Sequence, residues 1–272
     1  MKKLPPFFFL FLCLVFSPLV QSAGEDSTKA SELLKIVFSN FSRIKTIQSE
    51  ISFEIQKNDD YFFLKGTYSS APDDKYRLEF RPMGSWLKIV SNGKKVWFYV
   101  ENLKKVYIAD LNEKTSAASN VFTTATLAGR DAVSKDYDMS FYKKERKGWT
   151  EIHVFKAVPK HTSEFVSFVL LWINPQIKVI QKIETYDLHG NISSLIIFDK
   201  YRNFSGDIWF PTRMVSQARE GSDVMKNEIN FNKVKINQNL DVLQFEFVIP
   251  EKTKVEHVDL EKYRGKDLIK DE

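Results

Sequence analysis

The residues able to do chemistry in this chain are few and scattered. Its four histidines, His153, His161, His189 and His257, show no metal-ligand spacing, and no His-Glu-x-x-His motif occurs. The alternation around His153 puts it on the wet side of a strand, and His161 and His189 fall in turn segments. Carboxylates pair at Asp59-Asp60 and Asp73-Asp74, but neighbouring residues of a strand or turn point in different directions and make poor acid–base partners. No calcium-loop spacing surrounds either pair. Glycine-rich phosphate cradles and a Gly-x-Ser-x-Gly nucleophile elbow are also missing. The sequence therefore offers no catalytic residue, no metal ligands and no cofactor site, and it reads as a protein that is not an enzyme. One charged run stands out. Lys143-Lys144-Glu145-Arg146-Lys147 precedes Gly148 and reads as a hairpin tip, either a solvated turn or a docking surface for an acidic partner or anionic headgroups.

Residues 1–22 read as a secretory signal peptide. Lys2 and Lys3 form a short positive region, Phe7 to Phe16 is an unbroken apolar run, and Pro18 ends it. Val20-Gln21-Ser22 suits cleavage after Ser22, with Ala23 as the second choice. The single cysteine, Cys13, lies inside the apolar run, so the remaining chain has none. A cysteine-free exported chain must be held by its core, which favours a bacterial periplasm over a eukaryotic secretory route. Three Asn-x-Ser tripeptides, at Asn40, Asn191 and Asn203, carry little weight against that. Of the net charge of +5, removal of Lys2 and Lys3 leaves +3, a value that gives no reason to expect a nucleic acid partner.

The elements that must position any site follow from periodicity. Ala30, Leu33, Leu34, Val37, Phe38, Phe41 and Ile44 recur at helical spacing, with Asp26 or Ser27 able to cap the start. Ile47 to Gln56 alternates strictly, as a strand with one wet face does. Asn58-Asp59-Asp60 turns the chain towards a strand through Phe62, Leu64 and Tyr68, and Tyr76 to Phe80 forms another. Asn92-Gly93 accepts the positive φ angles of a tight turn, so Trp86–Val90 and Val96–Val100 form a hairpin. Val106 and Ile108 follow. Residues 112–136 break the pattern, with Val121, Phe122, Ala125 and Leu127 suggesting a short amphipathic helix. Strands then resume at 137–142, 150–157, 165–173, 179–186, 192–201, 209–218, 227–236 and 245–249. Such a meander curls into a barrel or half-barrel. One domain over residues 23–258 and a charged tail over 259–272 complete the organisation.

The chain's 23 phenylalanines exceed what an ordinary core of this size needs. The inward-facing candidates are Ile51, Phe53, Phe62, Leu64, Tyr76, Leu78, Phe80, Val96 and Phe98, with Phe122 and Leu127 from the mid-chain helix. These rings either fill a core beneath the first helix or line a cavity that holds an acyl chain.

The chain resembles the LolA-type periplasmic lipoprotein carriers. The residues that carry this are Lys65-Gly66-Thr67-Tyr68, Ala71-Pro72, Tyr76-Arg77-Leu78-Glu79-Phe80, Pro82, and above all Ile89-Val90-Ser91-Asn92-Gly93-Lys94-Lys95-Val96-Trp97-Phe98-Tyr99. The later half is similar to the broader group of outer-membrane lipoprotein-sorting proteins. It matches at Asp136-Tyr137, Leu171-Trp172-Ile173-Asn174, Lys182 to Asp187, Phe210-Pro211-Thr212-Arg213-Met214 and Phe245-x-Phe247. The resemblance covers roughly residues 30–255. It implies a mainly β fold with a helical lid: an unclosed antiparallel β-barrel, or half-barrel, covered by amphipathic helices. It further implies a monomeric periplasmic carrier that shields the acyl chains of a lipoprotein, or another lipid such as a phospholipid, between an inner-membrane donor and an outer-membrane acceptor. The alternative is a non-catalytic lipid or lipoprotein sensor or adaptor of the RseB type. One departure is visible: where the carriers place an Arg just before the Pro of the third-strand turn, this chain has Ser70-Ala71-Pro72.

Overall fold

The structure is a computed structural model and describes residues 23–111, 137–163, 165–220 and 223–259. Among the described residues one α-helix, α1 (Ala23–Ser42), leads into β1 (Ile47–Lys57), β2 (Asp60–Ala71), β3 (Lys75–Phe80), β4 (Leu87–Asn92), β5 (Lys95–Val100) and β6 (Lys105–Asp110). The second series is β7 (Tyr137–Lys147), β8 (Thr150–Pro159), β9 (Phe168–Asn174), β10 (Val179–Tyr186), β11 (Ile192–Ser205), β12 (Ile208–Glu220) and β13 (Asp223–Ile236). A short β14 (Lys254–His257) ends the described chain.

All fourteen strands form one sheet in the order β14-β6-β5-β4-β3-β2-β1-β13-β12-β11-β10-β9-β8-β7. Two meanders are thus joined where the first strand meets the thirteenth, with Ile51 beside Phe231 and Phe53 beside Ile229. Every pairing is antiparallel except β14 on β6. The outermost strands β14 and β7 do not meet, so the sheet is unclosed.

One face gathers Ile47, Ile51, Tyr68, Leu78, Phe155, Leu171, Phe198, Met214 and Ile229 into a single buried cluster with Leu33, Leu34 and Val37 of α1. The helix rests on β12 and on the edge strand β7. Its wet side carries Glu32 and Lys35, as its period requires. We refer to this as the inner face.

Two positions require glycine. A Cβ on Gly66 would lie 2.0 Å from the Glu79 carbonyl oxygen, so β2 and β3 touch backbone to backbone there. Gly93 has φ +86° at the β4–β5 turn, where Asn92 Oδ1 accepts hydrogen bonds from the amides of Lys94 (3.0 Å) and Lys95 (2.9 Å).

Three expectations fail. The segment 245–249 is not a strand. Asp241 caps a 3-10 turn at Val242–Phe245, and the following chain runs extended without a sheet partner. Its alternation arises because Phe245 and Phe247 face the sheet, not because it joins a ladder. The strand expected from Phe165 begins at Phe168, because the Ser163 hydroxyl accepts from the amides of Phe165 and Val166 and holds a turn. His153 is half-buried rather than wet. Its ring meets Phe141 edge-on at 5.8 Å, and Nε2 lies 2.8 Å from Glu151 Oε1.

Candidate functional site

The inner face over β1–β5 is built by strand alternation. Ile51 and Phe53 share a side with Gly66 and Leu64 of β2, and from there the register carries the face to Leu78 and Phe80, then Leu87 and Ile89, then Phe98 and Val100. Of the sequence candidates, Ile51, Tyr76, Leu78 and Phe80 are buried within the cluster. Phe53, Leu64 and Val96 are half-buried against it, and Phe53 stacks on Phe80 with centroids 6.4 Å apart. Phe98 is half-buried opposite Ile89, with its ring 6.1 Å from Tyr107. Phe62 does not join them. It is 57% exposed, on a stretch of β2 that reaches past the end of β3. Phe122 and Leu127 lie outside the described residues.

Beside the buried cluster that α1 shares, a stripe of half-buried apolar side chains runs over β1–β5: Phe53, Leu64, Leu87, Ile89, Val96 and Phe98. Two serines of this face hydrogen-bond the protein's own backbone. The Ser49 hydroxyl donates to the carbonyls of Glu50 (2.7 Å) and Asn232 (2.8 Å), and Ser91 donates to Asp74 (2.7 Å). Burial pushes the Tyr68 phenol well above its ordinary value, so it stays neutral. The same holds for Tyr201, whose hydroxyl donates to the Ile180 carbonyl. The half-buried stripe itself is hydrocarbon, which can bind a ligand by area.

The outer face holds aromatics that the sequence reading did not separate. Val90, Trp97, Tyr99, Val106 and Ile108 form a second buried cluster, covered by the chain after β13. Phe247 lies 5.5 Å from Tyr99 and 6.4 Å from Trp97, and Phe245 is fully buried. Arg77 Nη1 donates to the Gln244 carbonyl at 2.8 Å and Nη2 to Glu79 at 2.8 Å, while Lys88 reaches the same carboxylate at 3.1 Å. Burial works against the Glu79 charge, but the two cations hold its carboxyl below the usual range. The signal for this second face was present: Val96-Trp97-Phe98-Tyr99-Val100 is an unbroken apolar run, the pattern of a strand covered on both sides.

Further along the outer face, Ile152, Val154, Leu170 and Trp172 form a third cluster. Beside it a cleft of about 580 Å³ is lined by Arg146, Lys147, Trp172, Lys182, Asp199 and Lys200, among others. Arg213 clamps Glu228 through two hydrogen bonds of 2.8 and 2.7 Å and reaches Asp199 at 3.3 Å. That guanidinium holds the Glu228 carboxyl down at about 2. Among the described residues no three His, Asp or Glu side chains are placed to hold a metal ion, and no helix is long and apolar enough to cross a membrane.

A family model described by the words "Uncharacterized protein" matches residues 85–246, more than half of the chain. The chain belongs to that family. No curated protein matches it in sequence. Solved structures agree in fold at low identity. A DUF1329 family protein from Desulfovibrio piger is 16% identical over 80% of this chain and 96% of that one, with a TM-score of 0.59. A protein described as an outer membrane lipoprotein-sorting protein domain from Vibrio parahaemolyticus is 15% identical over 82% and 97%, with a TM-score of 0.57. A LolA superfamily protein from Nitrosomonas europaea is 15% identical over 79% and 97%, with a TM-score of 0.53. The fold is therefore LolA-like: mostly β, with one large unclosed sheet.

Proposed function

We propose that the protein is a periplasmic carrier that shields acyl chains, of a lipoprotein or of another lipid, on the inner face of its open sheet. The observation that carries this is the half-buried stripe from Phe53 to Phe98, apolar along its length, on the inner face of the unclosed sheet. Each methylene buried there contributes roughly 0.8 kcal/mol, so a long chain binds tightly without any polar contact. In this reading residues 1–22 direct export, the domain spans 23–258, and Phe122 and Leu127 belong to a lid over the stripe. The protein does no covalent chemistry on its cargo. It takes that cargo at the inner membrane and delivers it to the outer one.

The test uses the chain from Ala23 onward, which contains the whole described fold. Titration with an environment-sensitive hydrophobic dye is followed by competition with a triacylated lipopeptide and with phospholipid. Saturable binding displaced by the lipopeptide supports a lipoprotein carrier, and displacement by phospholipid alone assigns a different lipid cargo. Folded protein without saturable binding overturns the reading, because the rings then only fill a core.

A further inference from the structure

The β7–β8 hairpin takes no part in the apolar stripe, yet its tip is built for contact. Trp149 is 104% exposed, its whole side chain standing in solvent beside Gly148, which has φ +62°. The hairpin is at the edge of the sheet. Its ladder with β9 ends at His153 beside Ile173, so Thr150, Glu151 and the turn project roughly 10 Å past the end of β9 at ~3.3 Å per residue. Lys144, Arg146 and Lys147 are exposed on the strand that leads into the turn, with Lys144 Nζ 3.9 Å from Glu151 Oε1. The neighbouring carboxylates are engaged: Glu145 by Lys143 at 2.7 Å and the Trp172 indole at 2.9 Å, Glu151 by His153 at 2.8 Å. Behind the tip, the cleft of about 580 Å³ carries Lys200, Arg146, Lys147 and Lys182, the last paired with Glu184 at 2.9 Å, together with Glu145 and Asp199.

We propose that this hairpin docks the protein on an anionic phospholipid bilayer, with Trp149 seated at headgroup depth and Lys144, Arg146 and Lys147 against the lipid phosphates. Tryptophan is the side chain that gains most at that depth, since its ring is apolar and its N–H stays hydrated. Cations near an anionic surface each contribute about a fivefold gain in partitioning, lost beyond a Debye length. A projecting tip with one exposed ring and three exposed cations on the strand beside it presents both signals to a membrane surface. The proposal extends the carrier reading and rests on it only in choosing a membrane over another anionic surface.

The experiment mixes the chain from Ala23 onward with vesicles of phosphatidylglycerol and phosphatidylethanolamine, and separately with phosphatidylcholine vesicles. Residues 1–22 are omitted because their apolar run would itself partition. The expected results are co-sedimentation with the anionic vesicles only, a salt-sensitive affinity, and a blue shift of tryptophan emission that Trp149→Phe removes. Replacing Lys144, Arg146 and Lys147 together by Ser should weaken partitioning ~100-fold. All four positions are exposed, so dye binding to the inner face should be unchanged and reports on the carrier reading separately. Equal binding to neutral vesicles, or a triple variant that partitions like the parent, overturns the proposal. So does binding to polyglutamate as strong as to vesicles without a blue shift, which would assign the hairpin to a protein partner.

Discussion

Phe98 offers the sharpest test of where cargo lies. Its ring is half-buried, packed between Ile89 and Tyr107 and facing the stripe. A phenylalanine buries about 150–250 Å² when fully covered, and at most about a third of the Phe98 surface is still exposed, so about 70 Å² at most remains to be covered by an acyl chain. At about 25 cal/mol per Å², this contact contributes about 1.8 kcal/mol at most to binding. Phe98→Ala should therefore weaken lipopeptide or dye binding by about 20-fold at most. Phe98→Glu should do more at pH 7, because the bound chain strips water from a carboxylate. Burial under cargo raises that carboxyl's pKa, so the bound state takes up a proton more readily than the free state. Binding by Phe98→Glu should then strengthen as pH falls from 7 to 5, while Phe98→Ala stays flat. Circular dichroism confirms folding, and dye titration at each pH reads the affinity. If both variants bind like the parent, or if the Glu variant matches the Ala variant at every pH, cargo does not touch this strand.

Other features predict effects on stability. Gly66→Ala should destabilise by about 1–3 kcal/mol or prevent folding, read by urea unfolding, because its Cβ would sit 2.0 Å from a backbone carbonyl. Phe245→Ala should cost about 3–5 kcal/mol and redden the emission of Trp97 as the segment after β13 loosens. The Arg213–Glu228 clamp should show in the pH dependence of stability. The folded carboxyl is held at about 2 against an ordinary 4.5, so its contribution is complete above 4.5 and is lost as pH falls through about 2. Allowing for a glutamate side chain 20% exposed, that contribution is on the order of 1–2 kcal/mol. Parent and Arg213→Met should differ by this amount at pH 7 and converge near pH 2; a difference constant with pH would show that the loss is packing rather than charge.

Much of this fold is legible in the sequence because one wet face leaves a period-two trace. β1, β3, β5 and β10 fall within a residue or so of their expected bounds. The Asn92-Gly93 turn is set by its own side-chain and φ chemistry. The failures share a cause. Phe245 and Phe247 alternate like a strand, yet they bury against a sheet face without hydrogen-bonding to it, and side-chain pattern cannot tell these apart. β14 pairs with β6 in parallel across a long span of chain, and its Lys-Val-Glu-His carries no local strand signal. The stripe was legible as a list of residues but not as a surface. That Leu78 is sealed while Phe98 is only half-covered depends on how the chain packs over the sheet, a tertiary fact.

The seam between β1 and β13 has a consequence for how the molecule is assembled in time. β1 is the first described strand to be made, and the neighbour it needs ends at Ile236, so the ribosome must release nearly the whole chain before the two meet. Each meander can form beforehand from hairpins of short contact order. Until the seam closes, however, the first meander presents an eleven-residue open edge with an apolar flank, a template for pairing with another copy. A chain cut before Asp223 would be trapped in that state, so nascent and truncated forms are the ones that need a chaperone's protection.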